Sequence, residues 1–148
     1  MQNKFKLGAF GIILDNKKRV LLCHRKDYDL WNLPGGIVEI NESPWEGAIR
    51  EIKEETGFKA KIHKLVGVYY KPQKYEIVFS FACKVISGKI KLNNEADKIK
   101  YFEINKIPKN TSPKQVIRIK DYFAKQKKTI LKIQKGKSSI ELIKEGKL

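Results

Sequence analysis

The chain has 148 residues, 41% of them hydrophobic, which is enough for one buried core and too few for two ordinary domains. Its formal net charge of +16 points to anionic partners, yet of 32 basic residues only Arg19, Arg25, Arg50 and Arg118 are arginine, so the planar fork that reads nucleobases is scarce. Cys23 and Cys83 form neither a CxxC pair nor a Cys/His pattern, which argues against a disulfide framework or zinc site and fits buried thiols in a cytoplasmic protein.

In chain order, Phe5 to Leu14 is apolar and glycine-interrupted. It is too short to span a bilayer and is followed by Asp15 and two lysines instead of a small-residue cleavage site, so it reads as a strand and no membrane association is expected. Arg19 to His24 is a second apolar run, and the turn-forming residues 15–18 between them predict a hairpin. A loop carrying Trp31 follows, then Pro34-Gly35-Gly36. Ser43, Pro44 and Glu46 supply an N-cap, a first-turn proline and a capping box, so a helix is expected from Pro44 to Thr56, stopped by Gly57.

Ala60 to Tyr70 and Tyr75 to Ile86 read as strands, as does Ile99 to Ile104 after the polar loop Asn93 to Asp97. Ser112-Pro113 with Gln115 repeats the helix-start chemistry, with Val116, Ile117, Ile119, Tyr122 and Phe123 as the apolar stripe. A domain is therefore expected over 1–126. Residues 127–148 are read as a lysine-rich C-terminal tail, either a small hairpin or mobile. From Pro113 to Leu148 eleven Lys/Arg stand against three Asp/Glu, so half of the net charge sits in the last quarter of the chain.

Against this basic background, Gly36 to Phe58 concentrates carboxylates around one arginine. On the expected helix Trp45, Ala48, Ile49 and Ile52 form a core-facing stripe, while Glu51, Glu54 and Glu55 share another arc. Like charges at that spacing oppose each other by roughly 0.2–0.5 kcal/mol per pair, so a solvated acidic face is a weaker explanation than a cation. Hard oxygen ligands on a rigid element suit Mg²⁺ or Mn²⁺.

These residues resemble the box of the Nudix, or MutT-like, hydrolases, G-x5-E-x7-R-E-U-x-E-E-x-G-U with U apolar. It stands here as Gly36, Glu42, Arg50, Glu51, Ile52, Glu54, Glu55, Gly57 and Phe58, matched at every fixed position. The preceding WNLPGG and the later EADKIKYFEINKIP are also similar to family segments, and the resemblance covers about residues 5 to 125. It implies an α/β (α+β) fold, a mixed curved β-sheet sandwiched between helices with a loop-helix-loop metal site, and hydrolysis of a nucleoside diphosphate linked to another group. It further implies that Glu54 and Glu55 bind divalent metal together with Glu51 and the carbonyl of Gly36, that Arg50 orients the acids, and that Glu42 supports them.

For the general base the box glutamates and the late loop both qualify, Glu95 ahead of Asp97. Arg25 and Trp31 are the candidate substrate contacts, although a loop tryptophan packed down on the sheet is an equal reading of Trp31. His24 and His63 have no ligand-spaced partner and are expected to be structural. The expected substrate is a small nucleotide, a nucleoside triphosphate or an ADP-ribose-like molecule, handled by a monomer or homodimer. An enzyme on RNA 5′ ends and a non-catalytic nucleotide- or RNA-binding module are the alternatives.

Overall fold

The computed structural model describes residues 4–124 and 127–148. The order along the chain is β1 (Lys6–Ile13), β2 (Val20–Arg25), β3 (Trp31–Asn32), β4 (Gly35–Ile37), α1 (Pro44–Thr56), β5 (Phe58–Lys71), β6 (Glu76–Gly88), β7 (Ala96–Phe102), α2 (Pro113–Phe123), β8 (Ile130–Ile133) and α3 (Ser139–Lys144). Short 3₁₀ turns at Pro72–Lys74 and Ile104–Lys106 link β5 to β6 and follow β7.

Alternation of apolar side chains on both faces of β1, β2 and β6 gives these strands two cores to serve. Ala9, Ile13, Leu21, Cys23, Phe81 and Cys83 point to one side, where Ala48 and Ile52 of α1 meet them. Ile12, Val20, Leu22 and Ala82 point to the other, where Ile119 of α2 and Trp31 pack. The strands form a five-stranded mixed sheet, order β4-β1-β6-β5-β8, and a three-stranded antiparallel sheet, order β3-β2-β7. In the first sheet β1 runs parallel to β6 and antiparallel to β4. Three register irregularities between β5 and β6 bend the long strands, as bulges do. Both cysteine thiols are buried and free, and burial pushes the Cys83 thiol up to about 12.

Four sequence expectations change. The predicted hairpin exists only at its turn: Leu14 and Val20 form one bridge, and the strands then part into different sheets because each is buried on both faces. On α1 the buried line is Ala48, Ile52 and Thr56 with Gly47, whereas Trp45 is 55% exposed. The first turn is packed by Glu42 and Val38 against Gly47, so that turn's burial lies toward the loop. On α2 the buried residues are Gln115, Arg118 and Ile119, while Ile117 is 42% exposed; two of the three are polar and escape a hydrophobic count. Ser112 makes no side-chain cap there, and the Gln115 amide oxygen instead accepts the Leu33 N–H at 2.5 Å.

The fourth concerns the C-terminal segment. Residues 125 and 126, where the expected boundary falls, lie outside the described residues. Beyond them the segment forms no hairpin: β8 adds to the sheet parallel to β5, pairing Gly67 to Tyr70 with Ile130 to Ile133, and α3 follows. Among the described residues no helix is long and apolar enough to cross a membrane.

Candidate active site

The acidic helix begins as its sequence dictates. Ser43 Oγ accepts the Glu46 N–H at 3.1 Å while Glu46 Oε1 accepts the Ser43 N–H at 3.1 Å, and Gly57, at φ 86°, ends the helix in the left-handed conformation. The caps fix where α1 starts and stops, and burial of Ala48, Ile52 and Thr56 sets which face turns inward, hence where its carboxylates point.

Two of them point at the glycine strand. The Gly35 N–H donates to Glu55 Oε2 at 3.2 Å, and a Cβ on Gly36 would lie 2.8 Å from Glu51 Oε1. Glycine at 36 is therefore what lets backbone and carboxylate come together. Arg50 organises the rest: it donates to both oxygens of Glu42 at 2.8 and 3.0 Å, to Glu51 Oε1 and Glu54 Oε2 at 3.1 Å each, and to the Ile37 carbonyl at 3.2 Å. The Arg50 fork, helped by the Glu39 N–H, holds the Glu42 carboxyl down to about 2. Glu42 also fills the space left by the absent side chain of Gly47, whose Cβ would lie 2.9 Å from Glu42 Oε1.

Glu55 sits differently. Burial pushes its carboxyl well above the usual carboxylate range, the Gly35 N–H offsets this only in part, and the charges of Glu51 and Glu95 push it further. A partly buried carboxylate next to a second one calls for a proton or a cation between them. Among the described residues no group of three His, Cys, Asp or Glu side chains is gathered as a metal-holding cluster. Arg50 already binds Glu51 and Glu54. The donor chemistry nevertheless fits a hard divalent ion: Glu51 and Glu55 supply oxygen only, and the Arg50 bond to Glu51 takes Oε1 alone.

A cavity of about 570 Å³ opens beside this corner, within the range of nucleotide-sized sites. Glu55, Glu95, Arg25, Gly35 and Gln115 are among its lining residues. Glu95 reaches it because Asn93 ties the loop to the helix: its amide donates to the Glu55 carbonyl at 2.5 Å and accepts the N–H groups of Glu95 and Ala96 at 2.8 and 3.0 Å. Arg25 is also on the wall, clamped by Asp27 through bonds of 2.7 and 2.6 Å.

The structure thus brings together Glu51, Glu55, Gly36 and Arg50, with Glu95 across the cavity. Glu54 is 58% exposed on the outer side, held by Arg50. Trp31 is a correction: its indole is 8% exposed and packed edge-on between His24 and Phe102, at 5.0 and 4.9 Å, so it has no free face for a nucleobase. His24 and Asp97 form a feature that sequence spacing did not reveal. The His24 ring bonds to Asp97 through Nδ1 at 2.7 Å and to Asp29 through Nε2 at 2.8 Å, over separations of 73 and 5 residues.

This geometry has a counterpart in known proteins. A family model described as NUDIX domain matches residues 4–123. A protein of Methanocaldococcus jannaschii named ADP-ribose pyrophosphatase is 37% identical over 118 residues, 75% of this chain and 69% of its own. A Bacillus subtilis (strain 168) protein provisionally named 8-oxo-dGTP diphosphatase is 35% identical over 116 residues, 78% of each chain. Among solved structures, one titled UDP-X diphosphatase is 28% identical with a TM-score of 0.77, covering 89% of this chain and 68% of that one. The matched box, the sheet-and-helix architecture and these likenesses place the chain in the Nudix family, as a hydrolase of phosphoric anhydride bonds.

Proposed function

We propose that this chain is a Mg²⁺- or Mn²⁺-dependent pyrophosphohydrolase that cleaves a nucleoside diphosphate linked to a further group, an ADP-ribose-like nucleotide or a nucleoside triphosphate. The observation that carries this reading is the convergence of Glu51 and Glu55 at the glycine strand, with Glu55 and Glu95 on the wall of one nucleotide-sized cavity. Glu51 and Glu55, with the Gly36 carbonyl and Glu54, hold the metal; when bound it neutralises phosphate charge and lowers the pKa of water. Arg50 fixes the direction of Glu42, Glu51 and Glu54.

Glu95 is the general base in this reading. It is an exposed carboxylate facing the cavity from a loop, where it can take a proton from water without giving up a metal contact. Arg25, on the same wall, is the substrate contact, a cation placed for phosphate or for a base edge. The names of the Methanocaldococcus jannaschii and Bacillus subtilis relatives support the two substrate classes.

The test is hydrolysis of a panel of nucleoside triphosphates, ADP-ribose and 5′-triphosphorylated RNA with and without Mg²⁺. Turnover that needs Mg²⁺, and falls at least about a hundredfold in Glu54→Gln and Glu55→Gln with unchanged circular dichroism, is the expected result. Full activity in either variant sinks the assignment. Action on RNA 5′ ends is the second reading, favoured by the +16 charge, and it requires RNA affinity that falls steeply with salt.

A further inference from the structure

We propose that the uncovered end of the five-stranded sheet is an interface on which a second copy of this chain packs face to face, making a two-fold homodimer. The inference goes beyond the reaction and does not rest on it.

Pairing across the sheet lines up two rows of side chains. Leu7 of β1 is level with Ile77 of β6, Ile77 with Tyr70 of β5, and Tyr70 with Ile133 of β8. Two residues along each strand, Ala9, Phe79, Val68 and Leu131 are level in the same way. Positions that are level across a sheet, or two apart along a strand, share a face. That face is the one α1 covers at Ala9, Phe81 and Cys83. Past the helix the cover stops: Leu131 is 78% exposed, Ile133 63%, and Phe5, which stands against the rings of Tyr70 and Tyr75 at 6.3 and 5.6 Å, 54%. A shallow groove of about 390 Å³ runs between Phe5, Tyr70, Ile77, Leu131 and Ile133.

The face is also free of charge. In a chain that is 32% charged, none of the eight positions in the two rows is. Lys71 and Lys132 alternate onto the opposite face, where Glu76 and Asp121 hold their ammonium groups at 3.0 and 2.6 Å. The Lys132 stem borders the groove, but its charge is on Asp121. Gln134 follows on that opposite face, its Oε1 accepting Arg118 Nε of α2 at 3.0 Å.

These two properties select the occupant. A nucleic acid, an acidic protein or an anionic membrane is drawn by free lysines, and the rows offer none. A copy of this chain carries the same +16, so two copies can meet only where charge is absent, and a two-fold axis sets this uncharged face against itself. The exposed side chains leave roughly 500 Å² of apolar surface in water, most of the ~800 Å² per partner that a stable interface buries. Two sheet faces stack at a spacing of about 10 Å, as in a sandwich.

Sedimentation velocity of the intact protein over about 1–100 μM tests this. Wild type reaches twice the 17.2 kDa chain mass, with half-association at or below about 10 μM. Because repulsion between the copies opposes an apolar contact, raising NaCl from about 0.05 to 0.5 M tightens the dimer by about threefold or more. Leu131→Glu weakens association by about thirtyfold or more, while its melting temperature at low concentration stays as in wild type. Ile133→Lys does the same and serves if the glutamate perturbs folding. Ile86→Lys, an equally open site at the far end of β6, leaves association unchanged.

A wild type that stays monomeric to about 100 μM overturns the proposal. So does a dimer that survives both Leu131→Glu and Ile133→Lys, or one that loosens as salt rises. A monomer that sediments with phosphatidylglycerol vesicles, and stops doing so in Leu131→Glu, gives the face to a membrane instead and also overturns it.

Discussion

At the scale of single residues, Arg50 carries the most consequence. One guanidinium binds three glutamates and a carbonyl, and only its planar fork can span Glu42 on one side and Glu51 and Glu54 on the other. A lysine keeps the charge and loses the fork. Arg50→Lys is therefore expected to lower kcat/KM by roughly 10–100-fold, the usual loss when a residue that orients metal ligands is replaced. Circular dichroism should show α1 intact, because the cap at Ser43 does not involve Arg50. An unchanged kcat/KM would remove Arg50 from the site. Arg50 was legible in the sequence through its i+4 spacing to Glu54, but its bond to Glu42, eight residues back, depends on how the loop folds over Gly47.

At the scale of elements, α1 is the piece whose ends matter, because its rotation aims Glu51 and Glu55. Its C-terminal cap is the stricter end. Gly57 has φ 86°, and a Cβ there would meet the Lys89 carbonyl at 2.4 Å and Lys91 at 3.0 Å. Gly57→Ala combines the left-handed penalty, about 1–2 kcal/mol, with a backbone clash. It should lower stability by more than Ser43→Ala, which loses one cap bond worth about 1 kcal/mol. Urea unfolding of the two variants checks the order, and a smaller loss in Gly57→Ala would contradict it. The helix limits, both caps and the acidic arc were readable because they rest on local chemistry. Its buried face was only half readable: Ala48 and Ile52 were foreseen, but Trp45 emerges exposed because the loop, through Glu42, packs the first turn.

At the scale of the whole molecule, distant segments are tied together around the cavity, and His24 is the clearest tie. It joins β2 to Asp29 in the following loop and to Asp97 in β7, while Asn110 holds the same Asp29 at 2.9 Å. Burial of the ring works against its charged form, but the bonds to Asp29 and Asp97 prevail and raise His24 above its ordinary value of 6.5. A histidine raised in the folded state contributes stability that is fully present below about pH 6.5 and is lost as pH rises through the folded value. The stability of wild type relative to His24→Gln should therefore decline as pH increases above about 6.5, read from urea midpoints across pH. A difference that stays flat with pH would show that the ring is held neutral.

The sequence by itself determined the family box, the helix that carries it, the strand runs, the absence of any disulfide or zinc pattern, and the reaction class. The caps, turns and strand runs are local, each set by residues within a few positions of each other, whereas the reaction class comes from the box's resemblance to a known family. Only the tertiary structure decided which of the candidate residues share a cavity. It put Glu95 on the wall with Glu55 through Asn93, and it withdrew Trp31 into the core. It joined His24 to Asp97, and it turned a supposed tail into an edge strand and a cavity wall held by Gln134 on Arg118. The His24, Asn93 and Gln134 ties are polar contacts between residues 16 to 73 positions apart, which leave no trace in hydrophobic periodicity and form only when the sheets and helices close around them.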